Sequence, residues 1–295
     1  MQILTKKMNI INDVQTGFVE TEGDRLYYEV RGQGQPLLMI PGGGGDGRTY
    51  SFVANILSDE YKVITYDRRA NARSTRNDPQ NFEISQQSRD AVAVLETVGE
   101  KSAFIFGNSS GAVIALDMAK TQPQAVCAVI AHEPPLARIH PQSRKWQRFF
   151  ARIYGTAFTF GAAVAMLRFM FGVGLPLGVS AHSEAAEKRQ RERHDNQVEM
   201  REMAEYFVKQ ELLPVTNYMP DIAAIKRNGI KVFLAAGKES LDKKRFYAQT
   251  APILAKRMDC EMVVFPGHHV SYVTIPEEWA AKLRDILHRA ERVNK

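Results

Sequence analysis

The feature that most constrains this chain is Gly107-Asn108-Ser109-Ser110-Gly111, set between the apolar run 103–106 (AFIF) and the helix-forming run 112–120 (AVIALDMAK). A strand that turns into a helix across so short a stretch must bend sharply. The residue at the bend, Ser109, is forced into a strained backbone that is tolerable only if its flanks lack side chains. Gly107 and Gly111 meet that need. The bend lifts the Ser109 hydroxyl clear of the sheet, and the first amides of the helix face the place where negative charge develops when a hydroxyl attacks a carbonyl. A glycine-rich turn carrying a spectator serine is the competing reading, and it leaves the strand-helix junction unexplained.

The surroundings repeat the same rhythm. Short β-rich runs (25–30 RLYYEV, 36–40 PLLMI, 61–67 YKVITYD, 103–107 AFIFG, 127–131 CAVIA, 231–236 KVFLAA, 261–265 EMVVF) alternate with helical patterns near 85–98, 110–120, 243–257 and 276–292. Strands that are apolar throughout, rather than at alternate positions, belong to a parallel sheet covered on both faces. The expected fold class is therefore α/β, a mainly parallel central sheet flanked by helices. Residues 137–220 break the rhythm with a Met- and Phe-rich helical stretch (FGAAVAMLRFMFGVGLPLG) and a charged helix within 184–211. They read as an inserted helical cap on one core domain formed by 1–136 and 221–295.

Acyl transfer requires a second backbone donor beside the Ser110 amide. The run Pro41-Gly42-Gly43-Gly44-Gly45-Asp46-Gly47, after PLLMI, supplies one that can approach closely, and Gly43 is the candidate. A rival reading is phosphate binding, because 42–49 is one residue from a P-loop and Asp67 ends an apolar strand as a magnesium-binding aspartate would. Arg48 stands where the phosphate-reaching lysine belongs, and a P-loop leaves the Ser109 elbow without a role.

A serine hydroxyl needs a base. Pro266-Gly267-His268-His269 follows the strand 261–265 and brings an imidazole to the sheet edge where the elbow opens. Position alone does not separate the two histidines. His132, His140, His182, His194 and His288 read as surface, cap or supporting residues. Two carboxylates end strands and compete for the acid role. Glu133, in His132-Glu133-Pro134-Pro135, lies one βαβ step (24 residues) beyond Ser109, with Pro134 expected to hold it extended. Glu239, or less favourably Asp242, follows KVFLAAG.

The whole arrangement resembles the α/β-hydrolase fold from about residue 25 to 287, apart from the cap. In that family a loop histidine precedes by seven residues the proline that opens the last helix, and this resemblance selects His269, seven before Pro276. FGNSSGA (106–112), AHEPP (131–135) and PGHHVSY (266–272) are similar to the fungal zearalenone lactonases, a resemblance that implies Glu133 as the acid and Gly43 and Ser110 as oxyanion donors. The usual D-x-R-G-x-G-x-S loop departs from pattern, with Ala70 and Ala72 at both glycine positions.

The net charge of +6 adds little to this reading, since residues 136–212 hold twelve Lys/Arg against eight Asp/Glu, with opposite charges interleaved along 184–211 as on a solvated helix. Nucleic acid is not an expected partner. Cys127 and Cys260 lie far apart in apolar runs, which spells out neither a disulfide framework nor a metal site. The first fourteen residues lack a signal-peptide core. A cytoplasmic protein is expected, with no stable membrane insertion, no cofactor and no metal, and with a homodimer as an open option. The expected activity is cofactor-free serine hydrolysis of a carboxylic ester or lactone of a fairly hydrophobic small molecule. The alternatives are carbon-carbon bond hydrolysis by the same residues, or a non-catalytic small-ligand binder of the same fold.

Overall fold

The computed structural model describes residues 14–75, 82–175 and 201–292. Among them, eight strands form one sheet in the order β1-β2-β4-β3-β5-β6-β7-β8. They are β1 (Gln15–Thr21), β2 (Asp24–Arg31), β3 (Gln35–Ile40), β4 (Tyr61–Tyr66), β5 (Ala103–Asn108), β6 (Val126–His132), β7 (Lys231–Gly237) and β8 (Glu261–Phe265). β2 runs antiparallel to β1 and to β4, and β3 to β8 are mutually parallel. Every residue of β5 is buried, as expected of a strand covered on both faces.

One face is packed by α2 (Ile84–Thr97) and α3 (Ser110–Thr121), with Ala91, Val94 and Ile114 in that core. The other is packed by α1 (Ser51–Leu57) and by the last helix (Pro276–Glu291) through Val53, Leu57, Trp279 and Leu283. Parallel registry matters for the site. Asn108 pairs with His132, His132 with Ala235, and Gly237 with Phe265, so the residues that follow all emerge along one sheet edge.

Between β6 and β7 the chain leaves the sheet. It forms α4 (Ser143–Thr159) and α5 (Ala162–Val173), and returns through a helical stretch with a π-turn at Phe207–Glu211, α6 (Leu212–Thr216) and α7 (Ile222–Arg227). The Ala137 amide donates to Thr216 O at 2.8 Å and ties the start of this excursion to its end. Most of the expected charged helix at 184–211 lies outside the described residues.

Among the elements that the sequence reading missed are β1, α1 and α7. β1 (QTGFVET) is a mostly exposed edge strand with few apolar residues, and α1 (SFVANIL) is only seven residues long. A short helix the sequence did not announce, α8 (Lys238–Asp242), precedes the helix expected at 243–257, which is α9 (Phe246–Met258), and Lys244 adopts a left-handed φ of 51° between them. α4 and α5 part at Gly161 (φ 88°), and Arg168 sits mid-helix in α5 and donates to Thr156 Oγ1 at 3.1 Å.

Candidate active site

Ser109 occupies the bend between β5 and α3 with φ 56° and ψ −119°, a strained conformation for a residue with a side chain. The flanking glycines are required by contact. A Cβ on Gly107 would lie 2.2 Å from Gly111 O, and one on Gly111 would lie 2.1 Å from Ile40 O on the neighbouring strand. The bend is pinned from below, since the Ser109 amide donates to His132 O at 2.9 Å and the Ala112 amide donates to Ser109 O at 3.0 Å.

Directly after β6, Glu133 is fully buried, and its carboxylate accepts from His269 Nδ1 at 2.5 Å and from the Gly237 amide at 2.9 Å. The expectation that Pro134 holds Glu133 extended is not met. Its φ is 51°, and its amide donates to Ala235 O at 2.8 Å, which turns the carboxyl back across β7 toward the β8 exit loop. Burial opposes the charge on Glu133. The neighbouring His132, the hydrogen bond from His269 and the Gly237 amide outweigh it and hold the carboxyl below its ordinary range. His269 is 6% exposed, and its ring lies against Tyr247 with centroids 4.2 Å apart.

Ser109, Ser110, Gly43 and His269 line one cavity of about 450 Å³. Its far wall comes from the excursion: Phe150, Met166, Phe169, Met170, Val173 and Phe207. Beside Ser109, Ser110 and His269, the polar residues on its lining are Asp46, Thr49, Asn108, Thr216, Tyr247 and Tyr272. Phe171, on the same helix, is 63% exposed and is not on this lining.

The loop carrying Gly43 is held from behind. Arg68 donates from Nε to Pro41 O at 3.0 Å and from one terminal nitrogen to Gly42 O at 2.6 Å and to Glu211 Oε1 at 2.7 Å. Arg68 and Glu211 side chains are both fully buried. From the front, Phe207 packs so closely that a Cβ on Gly43 would meet its ring at 2.6 Å. The phosphate-loop reading finds no support in this geometry. Asp67 is fully buried and its carboxylate accepts from the Gly47 amide at 2.8 Å and from Arg73, while Arg48 is engaged with Asp46.

The other acid and base candidates lie apart from this cluster. Glu239 pairs with Lys243 on α8 and Asp242 with Lys238 at 2.8 Å, on exposed side chains. His268 is half-buried, its amide donating to Ser271 Oγ at 2.6 Å.

His132 is more central than the sequence reading allowed. It is fully buried beneath the elbow, and its Nδ1 meets Asn108 Oδ1 at 2.7 Å while Asn108 Nδ2 donates to Tyr272 OH at 3.1 Å. An amide oxygen only accepts, so His132 is protonated at Nδ1. Burial pushes its pKa down to about 4, so the ring is neutral near pH 7.

Comparison with known proteins places these features in context. The family model described as alpha/beta hydrolase fold matches residues 35–273. The hydrolase YraK of Bacillus subtilis, itself uncharacterized, is 29% identical over 291 residues, covering 95% of this chain and 98% of its own. A zearalenone hydrolase of Cladophialophora bantiana is 32% identical over 120 residues, 39% of this chain and 45% of that protein. Among solved structures, one from a study of carboxylesterases of Nitrososphaera gargenis superposes with a TM-score of 0.68 at 21% identity, covering 94% of this chain and 99% of that one.

Proposed function

Since the chain belongs to the α/β-hydrolase family and is a hydrolase, we propose that it is a serine hydrolase acting on a carboxylic ester or lactone of an uncharged, hydrophobic small molecule. The observation that carries this reading is the buried Glu133–His269 bond at 2.5 Å, with His269 and Ser109 lining one apolar cavity. In this reading residues 1–136 and 221–295 form the catalytic core and 137–220 the cap that shapes the substrate cavity.

The reaction follows from the chemistry of these groups. Ser109 Oγ attacks the acyl carbon while its proton passes to His269 Nε2. The carbonyl electron pair moves onto oxygen, where the Gly43 and Ser110 amides stabilise it. Collapse expels the alkoxide, which takes the proton from His269 and leaves as the alcohol, or stays tethered when the substrate is a lactone. Water, deprotonated by His269, then attacks the acyl-enzyme and releases the acid with Ser109 restored. Glu133 is a positioning residue. Its carboxylate accepts the Nδ1 proton, keeps Nε2 free to take a proton, and stabilises the imidazolium formed in each step. No metal or cofactor enters these steps.

The test is Ser109→Ala. Turnover of a hydrophobic aryl ester should fall about 10³-fold or more in kcat with the thermal transition unchanged, and covalent labelling by a fluorophosphonate should vanish. A Ser109→Ala variant that still hydrolyses esters at the parent rate overturns the assignment. A panel of aryl esters and macrocyclic lactones then separates the two substrate classes.

A further inference from the structure

α4 and α5 form an antiparallel hairpin. Arg168 on α5 reaches Thr156 on α4 at 3.1 Å, and a Cβ on Gly172 would lie 2.2 Å from the Phe149 ring. The inner side of this hairpin lines the cavity above Ser109 through Phe150, Met166, Phe169 and Met170. Its outer side is also apolar. Val164, Leu167 and Phe171, spaced i, i+3, i+7 along one face of α5, are 43%, 53% and 63% exposed, and Phe158 and Phe160 at the hairpin turn are 60% and 66% exposed. α4 adds exposed Arg144, Lys145, Arg148 and Arg152, three of them at i, i+4, i+8.

The stretch that forms this face carries no acidic residue of its own. Residues 134–183 include six Lys/Arg and no Asp or Glu, so fifty consecutive positions carry a surplus equal to the net charge of the whole chain. Like charges at i, i+4 on a helix repel, and acids at i±4 are the usual remedy on a solvated face. Here that remedy is absent along both helices. At the tip, Lys209, itself paired with Glu205, holds its ammonium 5.3 Å from the Phe158 ring centroid.

We propose that this outer face of the α4–α5 hairpin docks on an anionic lipid surface, with Phe158, Phe160, Val164, Leu167 and Phe171 entering the headgroup boundary and the arginines meeting the lipid phosphates. Large apolar side chains beside cations, in a segment with no acid of its own, are the composition of a segment that lies in a bilayer interface. A second copy of the chain fits less well, because a symmetric contact would bring the two basic faces together. Nucleic acid would use the cations and leave five large apolar side chains unburied. No helix among the described residues is long and apolar enough to cross a membrane, so the contact is peripheral. It places the cap between lipid, where hydrophobic esters accumulate, and the cavity that the hairpin's inner side lines.

The test is flotation of the full-length protein with phosphatidylcholine vesicles made with and without phosphatidylglycerol, at low and high salt. Binding should require phosphatidylglycerol and weaken with salt. It should fall on the order of a hundredfold in R144Q/R148Q/R152Q, from about tenfold or less per charge removed at the surface. F160S/F171S should lose binding as well, while turnover of a water-soluble ester stays at the parent rate and certifies the fold. No flotation with phosphatidylglycerol vesicles overturns the proposal. So does a dimer that F160S/F171S converts to monomer without any lipid binding, which would identify a second copy as the occupant. Vesicle binding is read without hydrolysis, so its failure is distinct from failure of the serine mechanism.

Discussion

The Arg68–Glu211 pair offers the sharpest test of how the excursion between β6 and β7 and the Gly43 loop hold each other. Both side chains are fully buried, and among the described residues Glu211 Oε1 is the sole carboxylate oxygen that Arg68 contacts, beside Pro41 O, Gly42 O and Gln87 Oε1. Replacing Glu211 by Gln leaves a guanidinium charge in the interior with neutral acceptors only, which costs about 3–5 kcal/mol. Against a total stability of about 5–15 kcal/mol this is a large fraction. With a urea slope of about 3 kcal/mol/M the unfolding midpoint should drop by roughly 1–1.7 M. Arg68→Met should cost a similar amount by stranding the carboxylate. The pair itself is not strongly favourable, because Glu211 Oε2 has no hydrogen-bond partner among the described residues and both ions have lost their water. Replacing both, as Arg68→Met with Glu211→Leu, should therefore be less destabilising than either single change. Two singles whose costs simply add in the double variant, or a Glu211→Gln that loses under about 1 kcal/mol, would refute the argument. The double variant should still show a reduced kcat, since nothing then grips the Pro41 and Gly42 carbonyls behind Gly43.

Two further outcomes follow from the groups around Glu133. His132 has a pKa of about 4 when folded against 6.5 when free, so between those values the unfolded chain binds a proton that the folded chain refuses. Its contribution to stability is complete above pH 6.5 and declines as pH falls, reaching a loss of about 3 kcal/mol below pH 4. Thermal melts from pH 7 to 4 should show a shallower decline in His132→Gln than in the parent, and equal slopes would count against it. For the acid, Glu133→Gln should lower kcat about 10⁴-fold by presenting the wrong partner to His269 Nδ1, whereas Glu239→Gln should stay within a few-fold. The reverse pattern in ester hydrolysis assays would move the acid role to Glu239.

What could be read from the sequence, and what could not, follows from the range over which each contact acts. Apolar runs announced seven of the eight strands, and a serine between glycines at a strand-helix junction announced the elbow, because those signals are local. The choice between Glu133 and Glu239 was not local. Each follows a strand, and what separates them is the left-handed turn at Glu133 and the 2.5 Å contact it makes across 136 residues of sequence. His132 was legible in principle. It continues CAVIA, a run buried on both faces, so a histidine at its end inherits that burial. Arg68–Glu211 was not legible, since its partners lie 143 residues apart and neither sits in a recognisable pattern. The loop at Asp67 shows most clearly why residue type is an incomplete guide. Ala70 and Ala72 take φ of 65° and 48°, where glycine would be free of strain and alanine costs about 1–2 kcal/mol each. The turn forms regardless because it is over-determined. Asp67 binds the Gly47 amide and Arg73, the Ala70 amide donates to Thr75 O at 3.0 Å, and the Ser74 amide donates to Asn71 O at 3.0 Å. The two glycines of the pattern relieve strain in this turn, whereas the contacts of Asp67 and Arg73 create it, so the loop survives loss of the former and should not survive loss of the latter.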